Sequence, residues 1–104
     1  MNKEMLKGTI DLLILSLLQD KEGYGYEISK RIKDKSDGSF NIQEATLYLS
    51  LKRLEKNGAI TSYWGKESQG GKRKYYSITE LGQQQYNQYK KDWELMAQLV
   101  QRFI

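Results

Sequence analysis

The 104-residue sequence contains no cysteine, no histidine and no proline. Without cysteine there are no disulfides, thiolate nucleophiles or cysteine-ligated metals. Without histidine there are no Ser-His or Cys-His catalytic pairs and no histidine-based zinc sites. The remaining carboxylates show no spacing typical of paired acid–base catalysis, and a glycine-rich phosphate loop is also missing. We therefore expect a protein that is not an enzyme and that holds neither a metal nor a cofactor.

Long hydrophobic runs are also lacking. The longest apolar segment, residues 12–18, is interrupted by Ser16 and is too short to span a bilayer. No small-residue cleavage pattern follows it, so a buried helix is expected rather than a signal peptide or a membrane anchor. These features predict one small cytoplasmic domain.

Positive charge is present in modest excess, 17 Lys and Arg against 13 Asp and Glu, but it is unevenly placed. Residues 66–78 carry four positive charges and one negative charge, while the flanking segments are nearly neutral. A local basic patch beside neutral flanks indicates contact with a polyanion such as DNA.

The spacing of apolar residues predicts three helices in the first half of the chain. Residues 5–19 are apolar on nearly every side, which requires cover from more than one direction. A shorter amphipathic helix follows at 24–35, and a turn separates it from a third helix at 43–56. Asn41 is the expected N-cap of this third helix, and the turn before it makes the pair a helix-turn-helix.

After the third helix, apolar and polar residues alternate with a period of two. This alternation predicts short strands at 59–64 and 74–78. Gly70 and Gly71 can form the tip of the hairpin between them. A basic hairpin after a helix-turn-helix is a wing, so the expected fold is α+β, mainly α. We assign 1–78 to a winged helix-turn-helix domain.

Residues 79–104 predict a long final helix in which apolar side chains recur at alternating steps of three and four. So long a stripe cannot all be buried within a small domain, and we interpret the segment as a dimerisation helix. The expected dimer contacts are Leu6, Ile10, Tyr86, Tyr89, Trp93, Met96, Val100 and Phe103. The alternative is a protein-interaction module that pairs this helix with a different protein.

In this arrangement the third helix enters the major groove of duplex DNA and the wing lies along phosphates. The candidate DNA contacts lie on the third helix, on its approach or on the wing: Tyr24, Gln43, Thr46, Tyr48, Leu49, Lys52, Arg53, Gly70, Gly71, Lys72, Arg73 and Lys74. Packing remains an alternative for both tyrosines, and a solvated turn is the alternative for the basic triplet.

Four motifs carry a resemblance to a known family: EATLY at 44–48, LKRLE at 51–55, GGKRKYY at 70–76 and TELG at 79–82. With these motifs the chain resembles the PadR family of bacterial transcriptional regulators over nearly its whole length. The resemblance implies a homodimeric winged-helix repressor that binds an inverted-repeat operator and is released by small aromatic or drug-like ligands.

The sequence is also similar to the multidrug-sensing branch of that family, because Trp93 stands where the branch has a ligand-stacking tryptophan. Two such indoles, Trp93 and the partner's Trp93, could leave a flat slot for an aromatic or cationic ligand. Plain helix packing is the alternative role for this residue. The candidate ligand contacts are Asp11, Leu12, Ser16, Tyr89, Trp93, Met96 and Ala97.

Overall fold

The computed structural model describes residues 8–66 and 71–104 of the chain. The described elements follow one another as α1 (Ile10–Asp20), β1 (Gly23–Tyr24), α2 (Gly25–Lys35), α3 (Glu44–Lys56), β2 (Ile60–Trp64), β3 (Lys74–Ile78) and α4 (Glu80–Gln101). The three strands form one antiparallel sheet in the order β1-β3-β2. This order of helices followed by a hairpin confirms the predicted winged helix-turn-helix of class α+β.

Helix α1 lies at the centre of the core, which explains why it is apolar on nearly every side. It packs against α2, α3, β3 and α4, and Ile14 and Leu15 are completely buried. Within the described residues the helix begins at Ile10, after a turn at Gly8 and Thr9. The first part of the helix predicted over 5–19, residues 5–7, lies outside the described residues. Leu6 and the opening residues of the chain lie outside the described ranges.

Helix α3 begins at Glu44, so the predicted cap at Asn41 is wrong. Gln43 precedes the first helical residue, and no side chain caps the helix there. Between the turn and α3, Ile42 is buried, and the backbone N–H of Phe40 donates to Ser36 Oγ at 3.1 Å. Burial of this apolar side chain sets the entry of the chain into α3, and it outweighs the local capping preference of an exposed asparagine.

The end of α3 follows its sequence signal closely. Gly58 adopts a φ of +80°, and the backbone N–H of Ala59 donates to the carbonyl of Leu54 at 2.9 Å. This six-to-one bond defines a Schellman motif, which needs glycine at its left-handed position. On the buried side of the helix, Leu47, Leu51 and Leu54 form the predicted stripe.

The hairpin pairs as the alternation predicts, with Ser62 opposite Tyr76 and Tyr63 opposite Tyr75. A two-residue strand, β1, extends the sheet by pairing Tyr24 with Tyr75. The sequence did not predict β1, because two residues carry no periodic signal, and Tyr24 had been assigned to the helix that follows.

Helix α4 begins after an N-cap at Thr79, and its later part packs little against the rest of the protein. The backbone N–H of Gly82 donates to Thr79 Oγ1 at 3.0 Å, as expected of an N-cap. Tyr86 packs against the core, whereas the side chains from Tyr89 onward are largely exposed. Within the described residues, no helix is both long and apolar enough to cross a membrane.

Candidate nucleic-acid interface

The outward face of α3 carries polar and apolar side chains that are free to meet a partner. Leu49 is 65% exposed and Tyr48 is 43% exposed, and Lys52 is exposed as well. Gln43, just before the helix, is exposed, and Thr46 is half-buried. This face thus carries an amide, a hydroxyl, an ammonium and an apolar group. Groups of these kinds contact base edges, thymine methyls and phosphates in DNA.

A groove of about 610 Å³ runs from the start of α2 past α3 to the wing strands. It is lined by Tyr24, Gly25, Tyr26, Tyr48, Trp64, Lys72, Arg73, Lys74 and Tyr76. Aromatic rings interleaved with cations suit a phosphodiester backbone, because the cations neutralise phosphates while the rings pack on sugars. We call this surface, together with the outward face of α3, the wing groove.

In the part of the chain that the structure describes, Arg73 is held in the wing groove by an aromatic ring and not by a carboxylate. Its guanidinium lies 4.6 Å from the ring centroid of Tyr24, and Tyr24 in turn contacts Tyr75 edge-on at 5.5 Å. A cation–π contact orients the planar fork without cancelling its charge. Arg73 therefore presents hydrogen-bond donors of fixed direction to an incoming anion.

Lys74 lines the groove as well, but it also has a partner within the protein. Its Nζ lies 3.6 Å from Glu55 Oε1 on α3 and 5.8 Å from the centroid of Tyr76. Glu55 also accepts a hydrogen bond from the Ser62 hydroxyl. These contacts join the wing to α3, and DNA contact by Lys74 stays a prediction.

Tyr48 reaches the groove because residue 25 has no side chain. A Cβ at Gly25 would lie 2.7 Å from Tyr48 Cζ and 2.9 Å from Cε1. Glycine therefore lets the phenol lie across the start of α2 with its ring half exposed. Tyr48 therefore lines the groove instead of lying in the core, and its contact with DNA stays a prediction.

The tip of the wing is only partly described. Gly71 adopts a φ of +88°, in keeping with the positive φ expected of a glycine in the hairpin connection. Lys72 beside it is exposed. Gly70 lies outside the described residues.

Arg53, which the sequence places among the DNA contacts, lies one helical turn after Leu49 and is paired with Asp11. Its Nη2 donates to Asp11 Oδ1 at 2.7 Å and its Nε donates to Asp11 Oδ2 at 3.2 Å. The side chain of Arg53 is still 51% exposed. Each charge thus has a partner across the contact between α1 and α3, while the DNA contact of Arg53 and the ligand contact of Asp11 stay predictions.

A second groove, of about 560 Å³, lies between α1, the turn before α3 and the first half of α4. Leu12, Ser16 and Trp93 line it, as the ligand assignment predicted, together with Leu13, Phe40 and Tyr86 among others. Tyr89, Met96 and Ala97 do not line it. Only three of the seven predicted ligand contacts are thus brought to one groove in a single chain.

The expected dimer contacts divide into two groups. Ile10 is 7% exposed and belongs to the core of its own chain, so it is not available for dimer contact. Tyr89, Trp93, Met96, Val100 and Phe103 are between 39% and 81% exposed. Leu6 lies outside the described residues. An apolar stripe along the outer part of α4 is therefore left uncovered.

Comparisons with known proteins agree with this architecture. The sequence model of the "Transcriptional regulator PadR-like family" matches residues 14–88. The chain belongs to the PadR-like family of transcriptional regulators. The match covers the helix-turn-helix, the wing and the first part of α4.

Relatives of this PadR-like chain include solved structures. A transcriptional regulator from Clostridium thermocellum is 43% identical and superposes with a TM-score of 0.93 over 100% of this chain and 98% of that one. A PadR family regulator from Clostridium difficile R20291 is 40% identical, with a TM-score of 0.79 over 91% and 97%.

Two curated sequences extend the comparison. An uncharacterised protein of Lysinibacillus sphaericus is 43% identical over 101 residues, which is 97% of this chain and 93% of the relative. The transcriptional regulator YqjI of Escherichia coli is 28% identical over 93 residues, and the match covers 89% of this chain but only 43% of that protein.

For this PadR-like regulator, sequence reasoning missed part of the wing groove. Trp64 and Tyr76 line it but were not among the predicted contacts. The alternation in β2 and β3 could have indicated both, since they lie on the face of the hairpin that carries Lys74. Across residues 8–66 and 71–104, no three Asp or Glu side chains cluster as metal ligands would.

Proposed function

We propose that the chain is a homodimeric repressor that binds an inverted-repeat DNA operator through α3 and the wing. The observation that carries the proposal is the wing groove, where Arg73 is held over Tyr24 beside the exposed face of α3. Arg73 has no carboxylate partner among residues 8–66 and 71–104. Such a cation, next to a helix end that can enter the major groove, is the arrangement that duplex DNA requires.

Salt dependence tests the wing assignment. Each lost phosphate contact flattens the slope of log affinity against log salt by about 0.9. Arg73→Ala and Lys72→Ala should therefore each flatten the slope by about 1.8 in a dimer with two wings. Lys91→Ala is the matched control, because it removes one positive charge from an exposed position on α4. Equal slopes for wild type and both wing variants would overturn the assignment.

Dimerisation is supported by the uncovered stripe on α4. At about 100° per residue, Met96 and Val100 lie at its centre, whereas Gln98 points the opposite way. Sedimentation should give a dimer for wild type and for Gln98→Asp, and a monomer for Val100→Asp. A wild-type monomer would instead favour the alternative, a helix that binds a different protein.

Release by a small aromatic ligand is supported by the groove beside Trp93, whose lining is mostly apolar. In a Trp64→Phe background Trp93 is the remaining tryptophan, so its fluorescence reports on that groove. Tetraphenylphosphonium, an aromatic cation that is not planar and does not intercalate into DNA, should quench this emission and lower the affinity for DNA, while Trp93→Phe should weaken both effects. Binding that leaves DNA affinity unchanged would contradict release.

A further inference from the structure

The ion pair between Asp11 and Arg53 joins the first helix to the helix that meets DNA. Both bonds run between one carboxylate and one guanidinium, at 2.7 and 3.2 Å. Two parallel bonds between planar groups fix their relative orientation as well as their distance. The guanidinium also lies 3.3 Å from Ser50 Oγ, and Ser50 is almost fully buried.

The pair holds α3 on the flank opposite to the one that contacts the wing. Five residues separate Tyr48 from Arg53, which places them about 140° apart around the helix axis at 100° per residue. On the Tyr48 side, Glu55 is fastened to the wing through Lys74 and Ser62. On the other side, the structure fastens α3 to α1 through Asp11.

The same pair lies where a third element, α4, approaches. Helix α1 packs against both α3 and α4. The pKa of Arg53 is raised above its ordinary value, first of all by the hydrogen bond with Asp11.

We propose that Arg53 is a positioning residue, which sets the rotation of α3 through Asp11 and so determines sequence discrimination without touching DNA. The inference rests on the proposed DNA binding. A rotation of α3 by about 10° moves a side-chain tip at a radius of roughly 6 Å by about 1 Å. Such a shift lengthens a hydrogen bond to a base beyond its useful range.

The alternative role for Arg53 is direct contact with a phosphate, which the sequence suggested. The two roles predict opposite effects of Asp11→Asn. That substitution keeps the shape of residue 11, removes one negative charge and frees the guanidinium. If Arg53 contacts a phosphate, DNA affinity rises and the salt slope steepens by about 0.9 for each contact. If Arg53 positions α3, affinity for the specific site falls although the protein has become more positive.

The experiment measures binding to two duplexes of equal length and composition, one holding the footprinted operator and one scrambled. For Asp11→Asn and Arg53→Gln we expect the affinity for the operator to fall about three- to tenfold. The affinity for the scrambled duplex and the salt slope should stay unchanged. The double variant should bind the operator no more weakly than either single variant. Asp20→Asn is the control, because it makes the same charge change at an exposed position near the end of α1.

The outcomes are distinguishable. Tighter binding and a steeper slope for Asp11→Asn would overturn the proposal in favour of phosphate contact, and an unchanged ratio of operator to scrambled affinity would overturn it outright. Equal losses on both duplexes, with a lowered thermal midpoint, would show a structural role only and would also overturn it. Failure of the wild-type chain to bind either duplex would refute the proposed function instead.

Discussion

The backbone of α4 approaches the winged domain most closely at Gly82. We therefore expect Gly82→Ala to lower the free energy of unfolding strongly. A Cβ at this position would overlap the carbonyl oxygen of Ala59 and lie 2.8 Å from both the Ala59 carbonyl carbon and Ile78 Cγ1. Ordinary contact begins near 3.4 Å. Because the nearest atoms are backbone, no side-chain rotation can relieve the overlap.

The first turn of α4 also has little freedom to move away. The backbone N–H of Thr79 donates to the Ala59 carbonyl at 3.0 Å, Thr79 Oγ1 lies 2.6 Å from the Gly58 carbonyl oxygen, and the same hydroxyl caps Gly82. Overpacking costs about 1–3 kcal/mol, and losing the cap costs about 1 kcal/mol. Alanine regains about 1 kcal/mol of helix propensity. The expected net loss is roughly 2 kcal/mol.

Denaturant titration at one protein concentration measures this loss, since the proposed dimerisation would make apparent stability depend on concentration. Gly8→Ala is the matched control, because a Cβ there meets nothing within 4 Å; its free energy of unfolding should stay within about 0.5 kcal/mol of wild type. A Gly82→Ala variant as stable as wild type would refute the close approach of α4 to Ala59.

Three further predictions follow from described contacts. Thr79→Ala should lower the free energy of unfolding by about 1 kcal/mol in the same titration; no loss would mean that the cap is unimportant. Hydrogen bonds from the Tyr63 and then the Ser77 hydroxyl lower the pKa of Glu22 from 4.5, so their contribution is present above that pH and is lost as pH falls below it. Glu22→Gln should therefore be less stable than wild type at pH 7, with the difference shrinking in acid, and a difference independent of pH would contradict this. Gly25→Ala should displace the Tyr48 phenol and weaken DNA binding in fluorescence anisotropy, whereas unchanged binding would remove that phenol from the interface.

Much of the fold could be predicted because its signals are local. The leucine stripe of α3, the glycine that ends it and the alternation in the hairpin each depend on residues within one turn or one strand. The start of α3 was predicted wrongly because a local signal was followed. The capping preference of Asn41 is local, whereas the burial of Ile42 depends on the packed core. A two-residue strand such as β1 exists only through its pairing with β3.

The candidate site was less predictable, because its ion pairs join side chains that are far apart in sequence. Arg53 and Asp11 are 42 residues apart in sequence, and Lys74 meets Glu55 only after the hairpin folds back on α3. Sequence reasoning placed Arg53, Arg73 and Lys74 in one DNA-binding set, together with Lys52 and Lys72. In the structure these three cations have different partners. Arg53 pairs with Asp11 and Lys74 pairs with Glu55, whereas Arg73 lies over the ring of Tyr24.

Footprinting on the DNA upstream of the chain's own gene tests the central claim most directly, which is that two copies present α3 and the wing to one duplex. The account predicts two protected half-sites related by a two-fold axis, with centres about 34–36 Å or a multiple of that distance apart. It also predicts that Arg73→Ala weakens protection of both half-sites alike. A single unsymmetrical protected site, or protection that Arg73→Ala leaves unchanged, would contradict the account.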